Sequence, residues 1–160
     1  MIAVGDRLPQ AQFFVKTENG REKRSTDDVF GGRKVVLFGV PGAFTGTCSK
    51  AHLPGFVNNA ETFHAHGIDE IACVSVNDAD VLHAWSHIGE ADGKVTMLSD
   101  GNAEFTKALG LDIDMSGAGM GTRSKRYSMV VDDGVVKKLN IEESPGKAEA
   151  SSAETLLAQL

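Results

Sequence analysis

Val35-Val36-Leu37-Phe38-Gly39-Val40-Pro41-Gly42-Ala43-Phe44-Thr45-Gly46-Thr47-Cys48 is the stretch whose reading decides the fold. Residues 35–40 are an unbroken apolar run, which suits a strand covered on both faces. Pro41 and Gly42 then force a tight turn, and the chain enters a helix whose first turn carries Cys48. The first N–H groups of a helix lack internal acceptors, and the aligned peptide dipoles add about half a positive charge there. An anion is stabilised at such a place, so Cys48 is a candidate nucleophile.

Downstream, Leu53, Phe56, Val57, Ala60 and Phe63 recur at helical spacing and predict one helix from about Thr47 to His66, kinked by Pro54. A second apolar run, Ile71 to Val76, is followed by Asn77-Asp78 as a helix cap and by Val81, Leu82, Trp85 and Ile88 at helical spacing. Val95 to Leu98 reads as a further strand, and Asn102 to Leu109 as a short helix stopped by Gly110. This alternation of strand and helix predicts an α/β chain with a parallel sheet and right-handed crossovers. Upstream, residues 11–24 read as a hairpin turning at Asn19-Gly20. Residues 111–125 carry Gly117, Gly119 and Gly121 without an apolar period and read as a long functional loop. Because Thr122 breaks the G-x-G-x-x-G spacing and a strand follows, this is no dinucleotide fingerprint. Asp132-Asp133-Gly134 between two apolar strands is a second hairpin, and Ala153 to Leu160 closes the chain as a helix.

Composition narrows the class. A chain of 160 residues fits one domain, residues 1–160. Two cysteines, Cys48 and Cys73, are too few for a disulfide-built fold, which favours a reducing, cytoplasmic setting. No segment reaches membrane-spanning length, and a net charge of −6 without a basic stripe argues against nucleic acid as a partner.

The residues around Cys48 define the chemistry. Thr45 precedes it by three, so its hydroxyl sits beside the sulfur and can donate or accept a hydrogen bond. A thiolate also needs a cation, and Arg126, with Arg123 behind it, enters a strand from the long loop. His52, His64 and His66 lie near the same helix, but 64 and 66 do not share a face, which argues against a metal site. Two rival functions compete with catalysis at a single thiol. Thiol–disulfide exchange usually uses Cys-x-x-Cys, and here Thr45 occupies the first position. A non-enzymatic redox sensor or holdase would use Cys48 oxidation to change assembly instead.

Pro41-x-x-x-Thr45-x-x-Cys48 resembles the active-site signature of the peroxiredoxins. Pro41 to Thr45, with Cys48-Ser49 and His52-Leu53-Pro54-Gly55-Phe56, is similar to the type-5 and plant type-II branch, as is the segment Lys125 to Val131. The resemblance implies a thioredoxin-like fold, with a central mixed sheet, flanking helices and an N-terminal hairpin extension. It implies reduction of hydrogen peroxide and alkyl hydroperoxides without a cofactor, and a homodimer formed near the active-site face. By motif position, Cys48 would attack the peroxide, Thr45 orient it and Arg126 polarise it, with Pro41, Gly46 and Thr47 on the substrate side. Glycine stands at 46 where many relatives carry proline, which leaves the helix start less preorganised. The segment Lys147 to Ser152 lacks the resolving cysteine of animal type-5 members. Cys73 is then the candidate resolving thiol, although packing inside a strand is its simpler reading, and glutathione with glutaredoxin, or thioredoxin, is the expected reductant.

Overall fold

The computed structural model describes residues 1–160, and its centre is the strand β3, Lys34–Val40. It pairs in parallel with β4, Glu70–Ser75, and antiparallel with β8, Tyr127–Asp132. With β1 (Gln12–Thr17), β2 (Gly20–Ser25), β5 (Thr96–Ser99) and β9 (Val135–Ile141), these form one seven-stranded sheet in the order β2-β1-β5-β4-β3-β8-β9. The parallel sheet expected from strand–helix alternation is therefore confined to β5, β4 and β3. Both hairpins add antiparallel strands at the flanks, because two-residue turns can join only antiparallel neighbours.

Each face of β3 feeds a different core, as the two-residue side-chain period requires. Val36, Phe38 and Val40 face α2 (Leu53–Asn58), α3 (Ala60–Ala65), α4 (Ala79–Ile88) and α6 (Ala153–Ala158), where Phe56, Phe63, Leu82, Trp85 and Leu156 are buried. Val35 and Leu37 face α1 (Thr26–Phe30) and α5 (Glu104–Leu109), where Phe30, Phe105 and Tyr127 are buried. Gly39 is required on that second face. A Cβ there would lie 2.2 Å from the Tyr127 ring. The helix α1 went unread in the sequence, yet Ser25 and Asp28 close a capping box at its start.

The single helix expected over Thr47–His66 is broken twice. Cys48–His52 is a π-helical turn, in which the Leu53 N–H reaches the Cys48 carbonyl, and Asn59 interrupts the chain between α2 and α3. Pro54 accounts for the first break: it cannot donate to the preceding turn and its ring clashes there, and a widened turn relieves both. Residues 111–125 are also more ordered than a plain loop, since Asp112–Asp114 (β6) and Thr122–Ser124 (β7) pair antiparallel. Their side chains are half in solvent, which erased the periodic signal. No helix is long and apolar enough to cross a membrane.

Candidate active site

The turn after β3 delivers Cys48 to the end of the parallel strands, where open α/β sheets place their sites. Asn77, beyond β4, fixes that turn by accepting from the Ala43 N–H at 2.9 Å and from the Ser75 hydroxyl at 2.6 Å. Phe44 pays in backbone strain, with a left-handed φ of 62° on a non-glycine residue.

Two polar groups meet at the Cys48 sulfur. The Thr45 hydroxyl lies 2.9 Å from Sγ and 2.7 Å from the Gly42 carbonyl. Its single proton can serve only one of these acceptors at a time. When the sulfur is a thiol, S–H can donate to Oγ1 while the hydroxyl donates to Gly42; when the sulfur is a thiolate, the hydroxyl can turn to it. Arg126 Nη2 donates to Sγ at 3.0 Å, and a guanidinium carries its full charge at any physiological pH. Arg123 instead donates to the carbonyls of Met120 and Pro41, so only Arg126 reaches the thiol.

Arg126 is itself held from two further sides. Its Nε donates to the Pro145 carbonyl at 3.0 Å, and its Nη1 to His52 Nδ1 at 3.0 Å. The other imidazole nitrogen, Nε2, lies 3.0 Å from the Ser151 carbonyl, which can only accept. Nε2 therefore carries the proton and Nδ1 the lone pair. Burial first, and the Arg126 charge second, bring His52 down to about 3, so the ring is neutral at physiological pH. His64 and His66 bond to backbone carbonyls of Ile68 and Thr62 and do not approach His52. No three His, Cys, Asp or Glu side chains converge as metal ligands.

Cys48, His52 and Arg126 are all at most 2% exposed, and a cleft of about 260 Å³ reaches Thr45 and Arg126, the two residues bonded to the sulfur, with Cys48 itself behind them. Pro41, Thr45, Gly46, Thr47 and Arg126 line it, together with Met115, Met120, Pro145 and Gly146. Thr47 Oγ1 donates to the Gly146 carbonyl at 2.8 Å and pins that second wall. The structure thus brings Pro41, Thr45, Gly46, Thr47 and Arg126 to one cleft in front of Cys48. Cys73 does not line the cleft; it is wholly buried on β4 opposite Phe38, in the same core as Cys48. Burial pushes its thiol well up, the neighbouring Cys48 adds to this, and Arg126 opposes it.

A family model described as Redoxin matches residues 3–157. Over 164 aligned residues the chain is 51% identical to the rice protein Peroxiredoxin-2E-2, chloroplastic (Oryza sativa subsp. japonica), covering 99% of this chain and 72% of that one. The chain belongs to the peroxiredoxins. Reduced Prx3 of Vibrio vulnificus, solved in complex with hydrogen peroxide, superposes with a TM-score of 0.94 at 50% identity, covering 99% of each chain. A Burkholderia cenocepacia structure described as a putative thioredoxin reductase gives 0.96 at 53% identity, covering 100% of this chain and 98% of that one. The activity of a peroxiredoxin is that of a thiol-dependent peroxidase, and the fold is the thioredoxin-like α/β fold that the signature around Cys48 implies.

Reading the sequence weighed His52 only as a metal ligand and as part of the motif, not as a partner of Arg126, and missed the Met115, Met120 and Pro145 wall. For His52 a signal existed: it follows Cys48 by four residues, so both side chains leave the same face of the turn. The wall residues come from irregular segments distant in sequence and carry no such periodic mark.

Proposed function

We propose that Cys48 is the peroxidatic thiol, that Thr45 orients the hydroperoxide, and that Arg126 stabilises the charge moving through the reaction. The observation that carries this reading is the convergence on one sulfur of a hydroxyl at 2.9 Å and a guanidinium at 3.0 Å, from two residues that both line the cleft. The Cys48 thiolate attacks one peroxide oxygen in line with the O–O bond. An S–O bond forms, the O–O bond breaks, and the departing oxygen takes both electrons of that bond together with the proton that the thiol released on ionising, and leaves as water or an alcohol. Arg126, already placed against the sulfur, meets negative charge as it passes to the leaving oxygen, and needs no reorganisation to do so. Pro41, Gly46 and Thr47 line the cleft on the substrate side.

The cysteine is left as a sulfenic acid, recoverable by a thiol. We assign that role to glutathione: one thiol displaces water from the sulfenic sulfur and forms a mixed disulfide, and a second thiol, presented by glutaredoxin, releases Cys48. The state of Cys73 supports an external reductant over internal resolution. It is buried in a central strand, with ionisation strongly opposed, and so is a poor nucleophile in the folded chain. Two free thiols also suit a reducing, cytoplasmic setting, and Phe44, half exposed at the rim of the site, suits a homodimer joined near that face. Peroxide consumption is expected to vanish in Cys48→Ser and to persist in Cys73→Ser with glutathione and glutaredoxin. No turnover in Cys73→Ser under those conditions refutes the external route.

A further inference from the structure

We infer that Glu142 is a positioning residue whose buried carboxylate closes residues 142–151 into a loop and so fixes the second wall of the cleft, an inference that rests on the peroxidase reading above. Only two carboxylates in the chain are buried, Asp100 and Glu142. Asp100 has a local use, accepting from the Phe105 and Thr106 N–H groups at the start of α5. Glu142 reaches across its own loop instead. Its Oε1 accepts from the Ser151 N–H at 2.8 Å and from the Ser151 hydroxyl at 3.0 Å, while its own N–H donates to the Arg126 carbonyl at 2.9 Å. One residue, standing directly after β9, thus joins the start of β8 to the far end of the loop.

Between those two ends the loop has no anchor in the core. From Glu143 to Ala150 no side chain is buried, so apolar packing does not set the path of the chain. Yet this stretch supplies backbone carbonyls to the site. The Pro145 carbonyl accepts from Arg126 Nε at 3.0 Å and the Gly146 carbonyl from the Thr47 hydroxyl at 2.8 Å, and both residues line the cleft. A backbone oxygen free to swing would exchange these donors for water. The carboxylate prevents this by gripping one residue through both its amide and its hydroxyl, which fixes the position and the rotation of the loop end. Hydrogen bonds to an ionised acceptor are about twice as strong as neutral ones, so this closure is firmer than the contacts it supports.

A mere tether for α6, which Ser152 caps, would account for the same bonds without touching Cys48, and a double-mutant cycle separates the two roles. In a Cys73→Ser background, the rate of Cys48 oxidation by hydrogen peroxide and the pH profile of Cys48 alkylation by iodoacetamide are measured for Glu142→Ala, Glu142→Gln, Thr47→Val and the double variant of Glu142→Ala with Thr47→Val. Glu142→Ala is expected to slow oxidation roughly tenfold and to move the alkylation profile to higher pH, as loss of a charge-assisted hydrogen bond implies. Glu142→Gln keeps an oxygen that can accept both Ser151 bonds and is expected to recover the rate to within about threefold of the parent. Thr47→Val cuts the bond to Gly146 and is expected to slow oxidation about fivefold in the parent, but less than about twofold once Glu142 is gone, because the wall is then already released. The proposal is overturned if Glu142→Ala loses stability with oxidation and alkylation unchanged, if Gln is as slow as Ala, or if the effects of Thr47→Val and Glu142→Ala simply multiply. Ser151→Ala, which removes one of the two bonds, takes the place of Glu142→Ala in the same cycle if that variant does not fold. If the parent itself consumes no peroxide, the peroxidase reading fails separately, and the alkylation profiles alone uphold or overturn the role of Glu142.

Discussion

Replacing Thr45 by valine removes one oxygen from the site and keeps nearly the same shape. That oxygen has two partners, the Gly42 carbonyl at 2.7 Å and the Cys48 sulfur at 2.9 Å. A hydrogen bond to a charged group contributes about 1.5–3 kcal/mol, so losing the contact to the thiolate and to the peroxide it attacks slows oxidation roughly ten- to hundredfold. Loss of the bond to Gly42 costs about 1 kcal/mol of stability, which lowers the melting temperature by about 2–4 °C. The kinetic effect therefore far exceeds what so mild a destabilisation could cause. The assay is rapid mixing with hydrogen peroxide under single-turnover conditions, followed by the fluorescence of Trp85, whose indole N–H donates to Ser49 beside the thiol at 2.9 Å. Thr45→Ser, which restores the hydroxyl, is expected to recover most of the rate. Wild-type oxidation by the valine variant, or a serine variant as slow as valine, would refute the role given to the hydroxyl.

Gly39→Ala drives a Cβ to within 2.2 Å of the buried Tyr127 ring and is expected to cost about 3 kcal/mol in urea unfolding. Adding Tyr127→Leu should return part of it, whereas simple additivity of the two losses would contradict the clash. Gly46 has open space where a Cβ would stand and sits at a helix start, so Gly46→Ala should raise stability by about 0.5–1 kcal/mol. No gain by calorimetry would mean that the turn needs glycine. His52 is lowered from 6.5 to about 3 in the folded chain, so between these limits the unfolded chain binds the proton that the folded one refuses. Its contribution to stability is whole above about pH 6.5 and is lost on acidification toward about pH 3, by at most about 1.4 kcal/mol per pH unit. Denaturant midpoints of the wild type should fall faster over this interval than those of His52→Asn, and parallel lines would contradict the assignment.

Much of the fold was legible because its signals are local. The unbroken run of Val35 to Val40 marks a strand buried on both faces, and β3 is that strand. Asp78 caps α4 as its position announces, and Gly110 ends α5 in the left-handed conformation. What could not be read depends on chain segments meeting. The mixed sheet follows from where β1 and β8 dock, which no spacing within either strand records. The π-helical turn combines Pro54, a local cue, with the demand that Cys48 and His52 both face Arg126, which is not local. Thr45 was readable from its three-residue offset, but its second partner, the Gly42 carbonyl, needed coordinates. The long loop carried its arginines visibly, and only the structure divides them, sending Arg123 to Pro41 and Met120 and Arg126 to the sulfur.

The most direct test of the central claim is to treat the reduced protein with one equivalent of hydrogen peroxide in the presence of dimedone and map the adduct by peptide mass spectrometry. A thiol activated by Thr45 and Arg126 should place the dimedone adduct on Cys48, leave Cys73 unmodified, and give almost no adduct in Arg126→Ala over the same time. An adduct on Cys73, or equal labelling of Cys48 with and without Arg126, would contradict the account.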